Sequence, residues 1–308
     1  MSEGELLWRR EKESFLAPGA CMHLFFQELL NGLVVGSIYA LVALGLALVY
    51  GTMGIPNFAH GHLYMLGAYV AFFGVTIAHI GYWPAMLLAV IVLAGVGILL
   101  ERLVFRPMRH APEVNIIIAA VGILFFLEAL ARLIFGADFQ VLPTPYDHVV
   151  HLPGSLIVTQ QQLIIIAAAA ILVVALFLFL KRTLIGATIE AVAQSRAGAA
   201  LVGINADRVS MLVFGISAGL AAAAATLIAS INLIYPQMGT SIILKGFAII
   251  VLGGMGSVPG AIIGAFILAL AESFGATYIS TSYQDFIAFA VLVVILTVRP
   301  TGLFAKNV

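Results

Sequence analysis

Charge is what this sequence has least of. Only 9% of its 308 residues are Asp, Glu, Lys or Arg, against about a quarter in an ordinary soluble domain, while 63% are hydrophobic. Between Lys12 and Arg102 there is no lysine or arginine. The single cysteine, Cys21, leaves no disulfide framework or paired-cysteine metal site. Formal net charge is zero, so there is no electrostatic footprint for nucleic acid. Together these absences exclude an ordinary soluble domain, a nucleic-acid binder and a disulfide-stapled secreted module.

What the chain has instead is apolar runs. A bilayer core about 30 Å thick is crossed by about 20 mostly apolar residues in a helix. Such runs lie near 29–51, 57–79, 84–104, 114–135, 162–181, 208–232, 259–277 and 283–299, with a shorter, glycine-ended piece near 241–254. The fold expected is all-α, a polytopic membrane bundle of about eight to nine spans forming one domain over residues 22–308. Residues 1–21 differ in character. "MSEGELLWRREKES" is dense in charge, and "FLAPGAC" is too short and broken for a signal-peptide core. They read as a non-native extension or a misassigned start.

Basic residues gather in three islands: Arg102, Arg106 and Arg109; Lys181, Arg182, Arg196 and Arg208; Arg299 and Lys306. The positive-inside rule makes all three cytoplasmic. The stretch 136–161 carries Asp138 and Asp147 but no Lys or Arg, and reads as external. The scheme closes only if 241–254 crosses or nearly crosses and the N-terminus lies outside. Arg9, Arg10 and Lys12 then sit on the wrong side, unless residues 1–21 are not native or the first stretch crosses differently.

An internal echo links the halves. In "YGTMGIPNFAHG", Tyr50, Met53, Gly54 and Gly61 recur as Tyr235, Met238, Gly239 and Gly246 of "YPQMGTSIILKG", and His60 faces Lys245. The two segments would run in opposite directions, as in an inverted-topology repeat, whose broken helices meet near the midplane and line a substrate path. Pro56 opens the backbone there, and freed polar groups must be satisfied by protein or cavity water. Asn57, His60 and Lys245 are therefore candidates for a translocation path, since ionisable groups inside a membrane are functional candidates by default. A structural hydrogen bond within the bundle remains the alternative for His60, and an interfacial position that for His62.

Residues 186–215, "GATIEAVAQSRAGAALVGINADRVSMLVFG", read as a short helix, a glycine stop at Gly203, and a new helix from about Arg208 capped by Asn205 or Asp207. This partly apolar cytoplasmic piece packs on its own bundle or docks in a groove of another subunit. "VLGGMGSVPGAIIGA", at 251–265, lacks the Gly-Lys-Ser/Thr ending of a phosphate loop. Gly256, Gly260 and Gly264 recur there every fourth residue, which suits close helix packing. His148 and His151 have no further ligand nearby, so neither a metal nor a cofactor is expected. Glu128 and Arg132, four apart, can pair on one helix face.

In chain order, "GIPNFAHG", "ERLVFRPMR", "AALVGINADRV" and "VLGGMGSVPGAIIGA" resemble the permease subunits of branched-chain amino acid ABC importers, the LivH type, from about Met22 to the C-terminus. The resemblance implies a pore subunit in the bacterial inner membrane, surrounded by lipid and not itself an enzyme. Two cytoplasmic ATP-binding subunits would supply hydrolysis, a periplasmic binding protein the solute, and a second homologous permease the rest of the pore. It implies leucine, isoleucine or valine as cargo, or related solutes such as urea and amides. It also makes 182–207 a coupling loop, carried by Glu190, Ala191, Ala199, Ala200, Leu201, Gly203 and Ile204. Two positions depart from the family pattern: Glu190 stands where a basic residue is expected, and His62 where an acidic residue follows the His-Gly pair. An ion-coupled transporter also fits an inverted repeat and an intramembrane lysine. It calls for more membrane carboxylates, however, whereas Glu28, Glu128, Glu272 and Asp285 lie mostly toward span ends. A membrane enzyme finds no paired acid and base.

Overall fold

The computed structural model describes residues 18–152, 156–299 and 302–304. The expectation of an extension over residues 1–21 falls mostly outside the described residues, as does Lys306. Helices dominate because a bilayer offers backbone groups no hydrogen-bond partner, so each apolar run must satisfy its own. In chain order they are α1 (Pro18–Met53), α2 (His60–Thr76), α3 (Tyr82–Leu100) prolonged by a π-helical turn at Glu101–Phe105, α4 (Glu113–Phe135), α5 (Gln160–Arg182), α6 (Leu184–Gln194), α7 (Arg196–Leu201), α8 (Ala206–Ile228), α9 (Met238–Gly253), α10 (Val258–Tyr278) and α11 (Gln284–Val298). Seven of the described helices are long and apolar enough to cross a membrane, and α2 and α9, at 17 and 16 residues, fall short of that length.

α1 and α8 form the centre of the bundle and are almost wholly buried, while α3, α5 and α11 turn most of their surface outward. Small residues explain how the centre closes. Ala221 to Ala225 of α8 are buried in succession, and α1 offers Gly32 and Gly36 to Leu270 and Phe266 of α10. In lipid, association rests on van der Waals packing, and small residues let backbones approach.

Contacts between connections sort them onto two sides. Gln140 exchanges two backbone hydrogen bonds with Ile234, which places the start of the connection after α4 beside the turn after α8. On the opposite, basic side, Gly51 approaches Gly256, and Leu303 and Phe304 donate to Leu252 and Gly253. The segment expected to be external contains a small antiparallel hairpin, β1 (Val149–Leu152) with β2 (Leu156–Thr159). It pairs Val150 with Val158 and leads directly into α5, so among the described residues the helical bundle carries one small β hairpin.

The apolar run 57–79 is not a full span. Gly54 turns the chain at φ 72°, and the Asn57 side chain accepts from the Ala59 N–H at 3.1 Å, so the next helix starts only at His60. His60 Nε2 lies 3.2 Å from the carbonyl of Val42, about 16 Å back from Met53 along α1 at 1.5 Å per residue. Residues 54–59 therefore turn back into the bundle, and α2 begins inside it. α9 begins against it. A Cβ added at Gly239 would stand 2.6 Å from the Gly61 carbonyl oxygen, and one at Gly61 would overlap the Gly239 carbonyl.

The glycines of 251–265 divide differently from their spacing. Gly260 packs on Gly253, and Gly264 faces the Ile249 carbonyl, as close packing requires. Gly256 lies ahead of α10, in the turn, at φ 80°. There the left-handed backbone conformation, which glycine adopts without steric cost, is what the position demands.

Gly61→Ala is expected to lower stability by about 1–3 kcal/mol, since backbone on the facing helix cannot yield. Gly122→Ala, where nothing lies within 4 Å, is the control and should be neutral or slightly stabilising. Thermal unfolding in detergent micelles measures both, and equal midpoints would remove the close crossing as a structural requirement.

Candidate functional site

Lys245 sits midway along α9 and meets groups from three other helices. Its Nζ is 3.1 Å from Glu272 Oε1 of α10 and 2.9 Å from Asp285 Oδ1 of α11, and it donates to the Tyr39 hydroxyl of α1 at 3.1 Å. Tyr39 in turn donates to Glu272 Oε2 at 2.8 Å. A buried charge is tolerated only when paired. Glu272, 1% exposed and six residues before the end of α10, is accordingly charge-paired with Lys245. Beside this cluster is a cavity of about 470 Å³, walled by Ile38, Ile228 and Ile242, with Tyr39, Tyr64 and Lys245 as polar lining and residues 231–233 and Tyr235 also facing it.

The other path candidates sit elsewhere. His60 is fully buried, its Nδ1 3.2 Å from Ser217 Oγ of α8 and its Nε2 on the Val42 carbonyl, so it clasps α2 to both central helices. Asn57 is buried in the turn that it caps. Lys245 thus lines the cavity, whereas Asn57 and His60 hold the break. His62 is buried rather than interfacial, because re-entry of 54–59 carries the start of α2 into the bundle. Its Nε2 is 3.5 Å from Glu128, which also pairs with Arg132 at 2.6 Å.

On the basic side, three side-chain caps build a hairpin. Thr183 accepts from the Gly186 N–H at the start of α6, and Ser195 from the Gly198 N–H at the start of α7. Gly203 turns the chain at φ 82°. Asn205, not Asp207, caps α8, accepting from the N–H groups of Asp207 and Arg208. Asp207 is freed to hold Arg106 at 2.8 Å and Arg109, and Arg109 reaches the fully buried Glu101 at 3.2 Å. The start of α8 is thereby pinned to the end of α3.

At the tip of the hairpin, Leu201 is 89% and Val202 74% exposed, with Ala200 and Gly203 exposed beside them. Ala199 is buried, and Ala191 and Ile204 are half-buried against the bundle. Glu190 pairs with Lys181 at 3.1 Å, a largely exposed contact of small energetic weight. Its negative charge is thus answered within the chain.

Over residues 28–296 the chain matches the family described as branched-chain amino acid transport system / permease component. The chain belongs to this family. It is 36% identical to the high-affinity branched-chain amino acid transport system permease protein LivH of Escherichia coli K12, over 92% of this chain and 96% of the relative. The same identity and coverages relate it to the corresponding permease protein BraD of Pseudomonas aeruginosa. A probable LivH of Methanocaldococcus jannaschii is 26% identical over 89% of this chain and 90% of the relative. No solved structure matches. The permease is a multi-pass membrane protein of the ABC transporter class, as its relatives and its apolar helices both have it.

Sequence reasoning singled out Lys245 but missed Tyr39, Glu272 and Asp285 around it. The available signal was Glu272 itself, a lone carboxylate within "FILALAESFG", because such a residue needs a partner at membrane depth. The network of Glu101, Arg109 and Asp207 was likewise visible only as separate charges. Removing one member of a buried pair leaves the other uncompensated. Arg109→Ala in the permease is therefore expected to cost about 3 kcal/mol, and adding Glu101→Gln should recover much of it. Unfolding midpoints of the purified variants test this; a double variant no better than the single one would show that Glu101 does not depend on Arg109.

Proposed function

We propose that this permease forms part of the pore of an ATP-driven importer that carries leucine, isoleucine, valine or closely related small solutes handed over by a periplasmic binding protein. The observation that carries the reading is the apolar tip of the basic-side hairpin, Leu201 and Val202, held out in water by a stiff, capped framework. Burying such a side chain gains about 1.5–3 kcal/mol, so the tip favours a partner groove. That groove belongs to a cytoplasmic ATP-binding subunit, two of which serve a pore completed by a second homologous permease. The chain's own glycine-rich segment lacks the lysine and hydroxyl of a phosphate loop, so hydrolysis is assigned to those partners.

The coupling element comprises Glu190, Ala191, Ala199, Ala200, Leu201, Gly203 and Ile204, with Ala200, Leu201 and Gly203 toward the partner. When ATP draws the two ATP-binding subunits together, the hairpin moves with them. The Asn205 cap and the Asp207 ion pairs pass the displacement into α8 and α3. From α8 it reaches α2 through the Ser217 contact with His60, and α9 through the Gly61–Gly239 crossing. Lys245 lies at the end of this chain of contacts, on the path of the solute.

Reconstitution with both ATP-binding subunits and the binding protein is expected to give leucine uptake that stops when ATP is withheld. Gly203→Val meets no neighbour within 4 Å, but a β-branched residue resists its φ of 82°. The variant should fold, with co-purification of the ATP-binding subunits falling several-fold. Uptake by this chain alone on an ion gradient would overturn the importer reading, and unchanged co-purification would overturn the coupling assignment.

A further inference from the structure

Lys245 has three N–H donors and three oxygen neighbours: it donates to the Tyr39 hydroxyl and forms ion pairs with Glu272 and Asp285. A fourth oxygen entering the cavity competes with them for the ammonium group, and the three are not equally replaceable. Tyr39 and Glu272 are 7% and 1% exposed and hydrogen-bonded to each other, so releasing either leaves a buried polar group without its partner. That is a costly outcome. The Asp285 side chain is 69% exposed. Water can solvate it on release, and an ion pair so exposed contributes little.

We propose that Lys245 binds the carboxylate of the transported solute by exchange with Asp285, and that the freed Asp285 then faces the solute's ammonium group. The apolar side chain of the solute rests on Ile38, Ile228 and Ile242. The cavity, at about 470 Å³, falls within the range of small-molecule sites. Its chemistry suits a zwitterionic amino acid with a compact apolar side chain, so this assignment rests on the importer reading above and names its recognition group. The exchange also releases the first turn of α11 from α9, while Ile287 keeps the helix on Gly275 of α10. Of that helix only Ala288 is buried, and its first turn is tied to α9 through the Asp285 ion pair while Gln284 lines the cavity.

The test uses the assembled transporter carrying Ser241→Cys, at an exposed position of the cavity lining, with the unsubstituted protein correcting for Cys21. Modification by a small thiol reagent is followed with L-leucine, leucinamide or 4-methylpentanoate present. At ten times its Kd, leucine should slow modification about tenfold, and leucinamide, which lacks the carboxylate, should not. Protection should be lost with Lys245→Gln combined with Glu272→Gln, which removes the buried charges together, and kept with Lys245→Arg. Asp285→Asn removes the competing carboxylate, so 4-methylpentanoate should protect at lower concentration, whereas leucine, losing its ammonium partner, should gain less. Equal protection by leucine and leucinamide, or protection undiminished in the double variant, would overturn the site. Normal ATP-driven leucine uptake without protection would also overturn the site while sparing the importer reading. Protection without any such uptake would overturn the importer reading and support the site.

Discussion

Two helices of this permease begin inside the bundle, and they can do so because Gly61 and Gly239 let their backbones touch. A helix that starts within a membrane exposes N–H groups with no intrahelical partner, and lipid supplies none. Here the break before α2 is closed by protein groups: Asn57 takes the Ala59 N–H, and the Tyr50 carbonyl takes that of Gly54. His60 adds a clasp to Val42 and Ser217, tying the new helix to both central helices. The crossing also brings α9 against α2 at a depth where Lys245 can reach Tyr39 on α1. Without it, the lysine would not stand within reach of Tyr39.

The few charges of the chain are concentrated where helices must keep a fixed relation. One cluster, Tyr39, Lys245, Glu272 and Asp285, joins four helices beside the cavity. The other, Glu101, Arg106, Arg109 and Asp207, joins the end of α3 to the start of α8 on the basic side. Both combine a fully buried carboxylate with a partly exposed one. The buried member makes the cluster expensive to dismantle, and the exposed member gives it a contact that can be exchanged at low cost. Such an arrangement suits a protein that must hold its pore shut and still rearrange within each transport cycle.

Between these clusters runs α8, central and rich in alanine, with a turned-out hairpin at its start. Its burial suits it to the proposed transmission, since a close-packed interior has low compressibility. The hairpin, in contrast, keeps Leu201 and Val202 in water. A surface so placed is explained by association rather than by the stability of the isolated chain.

Much of the architecture was legible in one dimension. Sustained hydrophobicity sets helices because unsatisfied backbone groups are not tolerated in lipid, and Gly203 with Asn205 marked a helix stop and a cap that the structure reproduces. The echo between "GIPNFAHG" and "GTSIILKG" pointed to Gly61, His60 and Lys245 as related positions. What spacing could not supply was which side chains meet. Tyr39, Glu272 and Asp285 lie far from Lys245 along the chain and come together only when α1, α9, α10 and α11 pack. His62, expected at an interface, is buried because the chain re-enters the bundle before it. Gly256, in step with Gly260 and Gly264, serves a turn because the helix starts after it. The sequence by itself determined the membrane class, the helices and the places where they break, all consequences of local chemistry. Only the tertiary structure decided the partners of each buried charge, because pairing depends on distances between segments that no local pattern encodes.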